Sequence, residues 1–204
     1  MTTTVIDLLR HGRTTADNIL RGRVDTPLSD EGYKQMQHSL QALQATAPWQ
    51  LVISSPLQRC AKFAHDMAAT LNCVAVSNDG FIEIDFGDWD GRCTTELRAE
   101  NPELYEKIWA SPGEYNVPGG ETFQDFYARV DAAWQQLLRE HRGKHILLVT
   151  HNGVIRAILG QLMQAPLASL PRIDVPYACL SRVTVYHEQG LADWPQLTFH
   201  RPHS

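Results

Sequence analysis

The chain has 204 residues, 43% hydrophobic and 20% charged, with a formal net charge of -5. That length and composition suit one globular domain, or one with a sizeable cap, able to bury a core without a disulfide or metal staple. The acidic balance, with a pI near 6.0, excludes the basic footprint of a nucleic-acid binder, and no apolar run approaches the roughly 20 residues of a membrane helix. Cys60, Cys73, Cys93 and Cys179 form no CxxC pair and have no zinc-site spacing, so free thiols in a reducing cytoplasm are expected. Met1 to Asp7 carries neither the basic nor the hydrophobic region of a signal peptide.

Val5 to Leu9 is a mostly apolar run ending at a polar, Gly-containing turn, which predicts a buried strand. Tyr33, Met36, Leu40 and Leu43 share one helical face. Leu51-Val52-Ile53 reads as a second buried strand. Cys60, Phe63, Ala64, Met67 and Leu71 mark a second helix. The stretch 85–120 is rich in Gly, Pro, Trp and acidic residues, with one helix expected near Thr95 to Trp109. It reads as a cap-like excursion over one end of the sheet. Phe123, Phe126, Tyr127, Val130, Trp134 and Leu137 form the clearest helical stripe, with Gly143 as a stop signal. Ile146 to Val149 is a third buried strand. A helix carrying Val154, Ile155, Ile158, Leu159 and Leu162 follows His151-Asn152-Gly153, and a strand is expected over Ser181 to Tyr186. Strands apolar on both faces, alternating with helices, predict a three-layer α/β/α sandwich with a mostly parallel central sheet. Residues 1–204 are read as a single domain.

Three strand ends carry distinctive residues: Arg10-His11-Gly12, Ser54-Ser55-Pro56-Leu57-Gln58-Arg59 and Thr150-His151-Asn152-Gly153. Ligands of open α/β sheets bind at the carboxyl ends of the strands. If these strands are parallel neighbours, two arginines and two histidines meet there and form an anion pocket the size of a phosphate. Guanidinium forks on Arg10 and Arg59 match phosphate oxygens, and helix N-termini after Pro56 and Asn152 add backbone N–H donors. A neutral imidazole such as His11 can attack phosphorus and form a covalent intermediate, and Gly12 lets backbone and substrate approach closely. The leaving oxygen then needs a general acid. Glu83, among apolar neighbours, is a candidate, and spacing alone leaves Asp79, Asp85, Asp88 and Asp90 in competition.

Six blocks in order now resemble the histidine phosphatase (phosphoglycerate mutase-like) superfamily: LLRHGRTTADN (8–18), RGRVDTPLSDEG (21–32), SSPLQRCAKFA (54–64), EIDFGDWDG (83–91), VPGGETFQDFYARV (117–130) and VTHNGVIRAIL (149–159). The resemblance implies that His11 is the phosphorylated nucleophile, that Arg10, Arg59 and His151 hold the phosphate, and that Glu83 is the proton donor. Asn18 matches a position that adds a phosphate donor, and the Asn152 backbone N–H reaches the same group. No metal or organic cofactor is implied. Within the family, the short length, Phe86-Gly87-Asp88-Trp89 after Glu83, and Gly120-Glu121-x-Phe123 are most similar to bacterial α-ribazole-5′-phosphate phosphatases of cobalamin nucleotide-loop assembly. The acidic stretch after Glu83 is expected to repel a bisphosphorylated, carboxylated ligand such as a phosphoglycerate mutase takes. Arg21, before Gly22, departs from relatives with a neutral residue there. Arg21, Gly22 and Arg23 are therefore read as possible substrate contacts.

The partner expected is a small phosphorylated substrate, with no nucleic acid and no membrane, for a monomer or homodimer. The alternatives are a phosphatase of a sugar phosphate or nucleotide, a phosphoglycerate mutase, or a non-catalytic phosphoanion-binding protein. Asp85, Asp88 and Asp90 lack the spacing of a calcium loop and read as solvated acids. His141 and His145 flank a helix stop and are not expected to share a metal. Trp89 and Trp109 either line the substrate pocket or join the cap to the sheet.

Overall fold

The structure, a computed structural model, describes residues 2–44 and 49–201; Met1 and residues 45–48 and 202–204 lie outside the described residues. Six strands form one sheet in the order β3-β2-β4-β1-β5-β6. They are β1 (Thr2–Arg10), β2 (Leu51–Ser54), β3 (Val74–Ser77), β4 (His145–Thr150), β5 (Leu180–His187) and β6 (Trp194–His200). β1 to β4 run parallel, and β5 is antiparallel to both β1 and β6. The mostly parallel sheet with helices on both faces is the architecture read from the periodicity.

The faces follow from the two-residue period of a strand. Ile6 and Leu8 of β1 and Ile146 and Leu148 of β4 pack with α5 (Phe123–Glu140) and α6 (Asn152–Leu162). Leu9, Leu147 and Val149 point the other way, onto α1 (Asp30–Gln44) and α2 (Gln58–Leu71). Asp7 shares that second face, fully buried. It accepts hydrogen bonds from Trp49 Nε1 (2.8 Å) and from Arg182 Nε (2.8 Å) and Nη2 (2.9 Å), and it pairs with His145 Nε2 at 2.8 Å.

The stretch 85–120 contains two helices, α3 (Thr94–Glu100) and α4 (Pro102–Ala110), where one was expected. Pro102 has no backbone N–H to donate and disfavours helical conformation in Asn101, so the first helix must end there. Asn101 then caps α4, its side chain accepting the Leu104 N–H at 3.0 Å. This stretch packs on the α5/α6 side. Trp89 stacks on Tyr105 at 5.8 Å, and Tyr105, Trp109 and Phe123 continue edge to face. Buried Trp89 therefore joins this stretch to the core.

Candidate active site

Register brings the three motifs together. Arg10 pairs with Thr150, and Ser54 pairs with Val149 across β4. One residue further, the His11 N–H donates to the Thr150 carbonyl and the Ser55 N–H to the Val149 carbonyl, both at 3.0 Å. His11, Ser55 and His151 thus leave the sheet side by side, and Arg59 enters from the first turn of α2.

The rings of His11 and His151 meet edge to face at 5.3 Å. His11 Nδ1 lies 2.8 Å from the Gly12 carbonyl oxygen. A carbonyl only accepts, so Nδ1 carries the proton and Nε2 keeps its lone pair. Burial, then the charges of Arg10 and Arg59, hold the His11 imidazole well below its ordinary pKa, which keeps that lone pair available. His151 is fixed from both sides. Arg59 Nε donates to its Nδ1 at 3.3 Å, so its Nε2–H faces Ser55 Oγ at 2.7 Å. Arg59 is fully buried. It also donates to the Val24 carbonyl (2.8 Å) and the Gly22 carbonyl (2.7 Å), leaving two of its five N–H donors for an anion.

Glu83 faces this cluster, almost wholly buried. Its carboxyl accepts the backbone N–H groups of Ile84 and Gly153, each at 3.1 Å. Burial pushes its pKa up, against the opposing pull of the Gly153 and Ile84 amides and of Arg59 and Arg10. Burial outweighs them, so the carboxyl retains its proton to higher pH than an exposed glutamate would.

A cavity of about 280 Å³ opens over His11 and Glu83, lined by Arg10, His11, Glu83, Asn152 and Arg21 on its polar side, while Arg59 and His151 lie fully buried behind that lining. Its other walls include Leu20, Phe86, Trp109, Phe123, Phe126 and Leu170. Arg10 Nη1 donates to the Val175 carbonyl at 2.6 Å, while its buried Nε has no partner. Arg21 donates to the Tyr177 hydroxyl at 3.0 Å and to the Ala16 carbonyl. The Asn152 side-chain oxygen is buried without a partner.

Other sequence-predicted residues stand elsewhere. Asn18 is exposed at φ 59°, and its carbonyl takes the Thr94 N–H; it does not line the cavity. Arg23 pairs with Glu121 at 3.7 Å, outside the lining. Gly22 is buried under Arg59, giving it its carbonyl. Gly12 packs against backbone and not against the cavity, because a Cβ there would overlap the Gly32 carbonyl. Of the acids after Glu83, Asp88 is exposed as expected, while Asp85 and Asp90 are turned to backbone amides. Asp85 accepts the Gly87 N–H, and Asp90 accepts the N–H groups of Gly22, Arg23 and Val24; neither lines the cavity. Among the described residues no group of three or more His, Cys, Asp or Glu side chains could hold a metal ion, and no helix is long and apolar enough to cross a membrane.

Residues 6–196 match the histidine phosphatase superfamily (branch 1). The chain belongs to this family. A bifunctional protein of Mycobacterium tuberculosis is 32% identical over 187 residues, covering 91% of this chain and 51% of the relative. The chain therefore spans about half the length of that relative. The adenosylcobalamin/α-ribazole phosphatase of Escherichia coli is 30% identical over 185 residues, covering 87% of this chain and 88% of that one. Mycobacterial glucosyl-3-phosphoglycerate phosphatase, at 23% identity, shares the fold with a TM-score of 0.86 over 98% of this chain and 100% of its own.

Two cavity residues of this superfamily member stand outside the catalytic assignments drawn from its sequence motifs. Tyr177 lies under Arg10, whose guanidinium sits 4.3 Å from the ring centroid. Arg156 lines the cavity from α6. It is the single charged residue of that helix, a signal present in the sequence that the apolar periodicity around it masked.

Proposed function

We propose that this chain is a phosphomonoesterase working through a phosphohistidine on His11. One observation carries the reading: a histidine shifted toward its neutral form, with a free ring nitrogen, faces, in one cavity, an unpartnered arginine donor and a buried carboxyl shifted toward its protonated form. His11 Nε2 attacks phosphorus while the ester P–O bond breaks, and Glu83 gives its proton to the leaving oxygen. Arg10 and Arg59 stabilise the charge on the equatorial oxygens, with the Asn152 N–H at their side, and His151 joins them when a phosphate oxygen takes the place of Ser55 Oγ at its Nε2–H. A water then attacks phosphorus, the P–N bond breaks, and Glu83 takes the proton of that water.

The ester we favour is α-ribazole 5′-phosphate, hydrolysed in the cytoplasm by one domain spanning the chain, with 85–120 as its cap. Support comes from the E. coli relative and from the aromatic wall of Phe86, Trp109 and Phe123, which suits a planar base. The test is a phosphate-release panel with α-ribazole 5′-phosphate, a sugar phosphate, a nucleotide and 3-phosphoglycerate, the last also assayed for 2-phosphoglycerate. The highest kcat/KM is expected for α-ribazole 5′-phosphate; a preference of ten-fold for another ester reassigns the substrate. His11→Ala is expected to lose at least three orders of magnitude in kcat and all acid-labile phosphoenzyme. Phosphoenzyme trapped at wild-type yield in that variant removes His11 as nucleophile.

A further inference from the structure

Arg10, Arg21 and Arg156 line the cavity, and a fourth arginine, Arg59, is buried beside His151 behind it. None of the four lies within 4.0 Å of a carboxylate among the described residues. Arginines elsewhere in the chain, such as Arg13, Arg92, Arg129 and Arg182, do find one. One phosphate dianion accounts for two of the four charges. Arg10 and Arg59 stand at the strand ends beside His11, and Arg21 is tied to the Tyr177 hydroxyl and the Ala16 carbonyl. Arg156 remains. Its Nε donates to the Ile173 carbonyl at 2.8 Å, which fixes the guanidinium plane. Its two terminal nitrogens have no hydrogen-bond partner among the described residues, although the side chain is half-buried and lines the cavity.

The position of Arg156 tells which end of a substrate it meets. It follows Asn152 by four residues on α6, so the two share a helix face about one turn apart, about 6 Å along the axis. The first turn of that helix holds Glu83 through the Gly153 N–H. Glu83 marks the leaving oxygen in the proposed mechanism, and Arg156 stands about a turn beyond Gly153 on α6, lining the cavity that Leu167, Leu170 and Pro171 also wall.

We propose that Arg156 is the specificity-determining contact for the leaving group, its guanidinium fork gripping an oxygen acceptor there, either a sugar hydroxyl or a carboxylate. The inference rests on the phosphatase reading above. Of the acids that the sequence set against a carboxylated ligand, Asp85 accepts a backbone N–H and Asp88 is exposed outside the lining, so neither presents its charge in the cavity.

The experiment compares kcat/KM for three esters in the wild type, Arg156→Leu and Arg156→Lys. Ribose 5-phosphate offers hydroxyls, 2-phosphoglycolate offers a carboxylate and no hydroxyl, and phenyl phosphate offers no acceptor beyond the ester. In Arg156→Leu the ratio of an acceptor-bearing ester to phenyl phosphate is expected to fall ten-fold or more, the effect of losing a charge-assisted hydrogen bond. The ester whose ratio falls names the acceptor. Arg156→Lys, which keeps the charge and loses the fork, is expected to give a smaller fall with a carboxylate acceptor than with a hydroxyl acceptor. It also serves if Arg156→Leu does not fold by its thermal melt. Ratios within two-fold of wild type in both variants, or equal loss on all three esters, overturn the proposal. A wild-type protein inert toward these three esters and toward α-ribazole 5′-phosphate overturns the phosphatase reading, and this proposal with it.

Discussion

At the scale of single residues, the site shifts two groups in opposite directions. Burial and two arginines lower the pKa of His11, favouring its neutral ring, and burial, outweighing two amides and two arginines, raises that of Glu83, favouring its protonated form. In the proposed first step His11 must be neutral and Glu83 protonated. With substrate ionisation held in common, kcat/KM is therefore expected to fall as pH rises through the raised pKa of Glu83. The limb belonging to His11 lies well below pH 6.5. Measured as a pH profile, Glu83→Gln should lack the alkaline limb seen in wild type and lose most on esters with basic leaving groups. Equal loss on all esters, with the limb intact, removes Glu83 as the acid. Gly153→Ala tests the same carboxyl from behind, since a Cβ there would overlap Glu83 Oε1. Its kcat is expected to drop about ten-fold or more, in line with a misplacement of about 1 Å, and to drop further on poor leaving groups. Sequence gave His11, Arg10, Arg59 and His151 away because each sits at a strand end. Arg156 and Tyr177 escaped because one is a lone charge on an apolar helix and the other lies in an irregular loop.

At the scale of elements, the strands that periodicity revealed are the central ones. β1, β2, β4 and β5 are buried nearly throughout, so burial wrote itself into their composition. β3 and β6 went unread because they are edges. Val74 and Val76 are largely exposed on a four-residue strand, and Trp194-Pro195 opens a strand whose exposure alternates. An edge needs no continuous apolar run, and proline is tolerated there. The same logic hid the charge inside β1. Burial pushes the Asp7 pKa up, but the hydrogen bonds from His145, Arg182 and Trp49 outweigh it, and the net shift is downward. A depressed folded-state pKa gives stability that is complete above the unfolded value near 3.8 and is lost as pH falls through the folded one. Asp7→Asn is expected to cost about 2–4 kcal/mol at neutral pH, read by denaturant unfolding, because Arg182 and His145 lose their buried counter-ion. A cost below about 0.5 kcal/mol would show that the network is idle.

At the scale of the molecule, an acidic chain concentrates four arginines in the lining of one cavity and behind it. Inorganic phosphate should therefore bind the folded state, raising the melting temperature with concentration by mass action. At a hundred times its Kd the gain is about 2.7 kcal/mol, and Arg10→Ala should remove most of it; a melt indifferent to phosphate contradicts the anion pocket. The strip Gly22-Arg23-Val24 gives this site a mechanical reach. Its N–H groups hang on Asp90 from the stretch 85–120, and the Gly22 and Val24 carbonyls hang on Arg59 from α2. It behaves as a rivet with one head in each layer, and the anion receptor supplies the inner head. An anion that draws Arg59 toward itself therefore tugs on the roof as well as the floor. Amide exchange at residues 22–24 and 87–93 should slow together when phosphate is added, and Asp90→Asn should uncouple the two stretches.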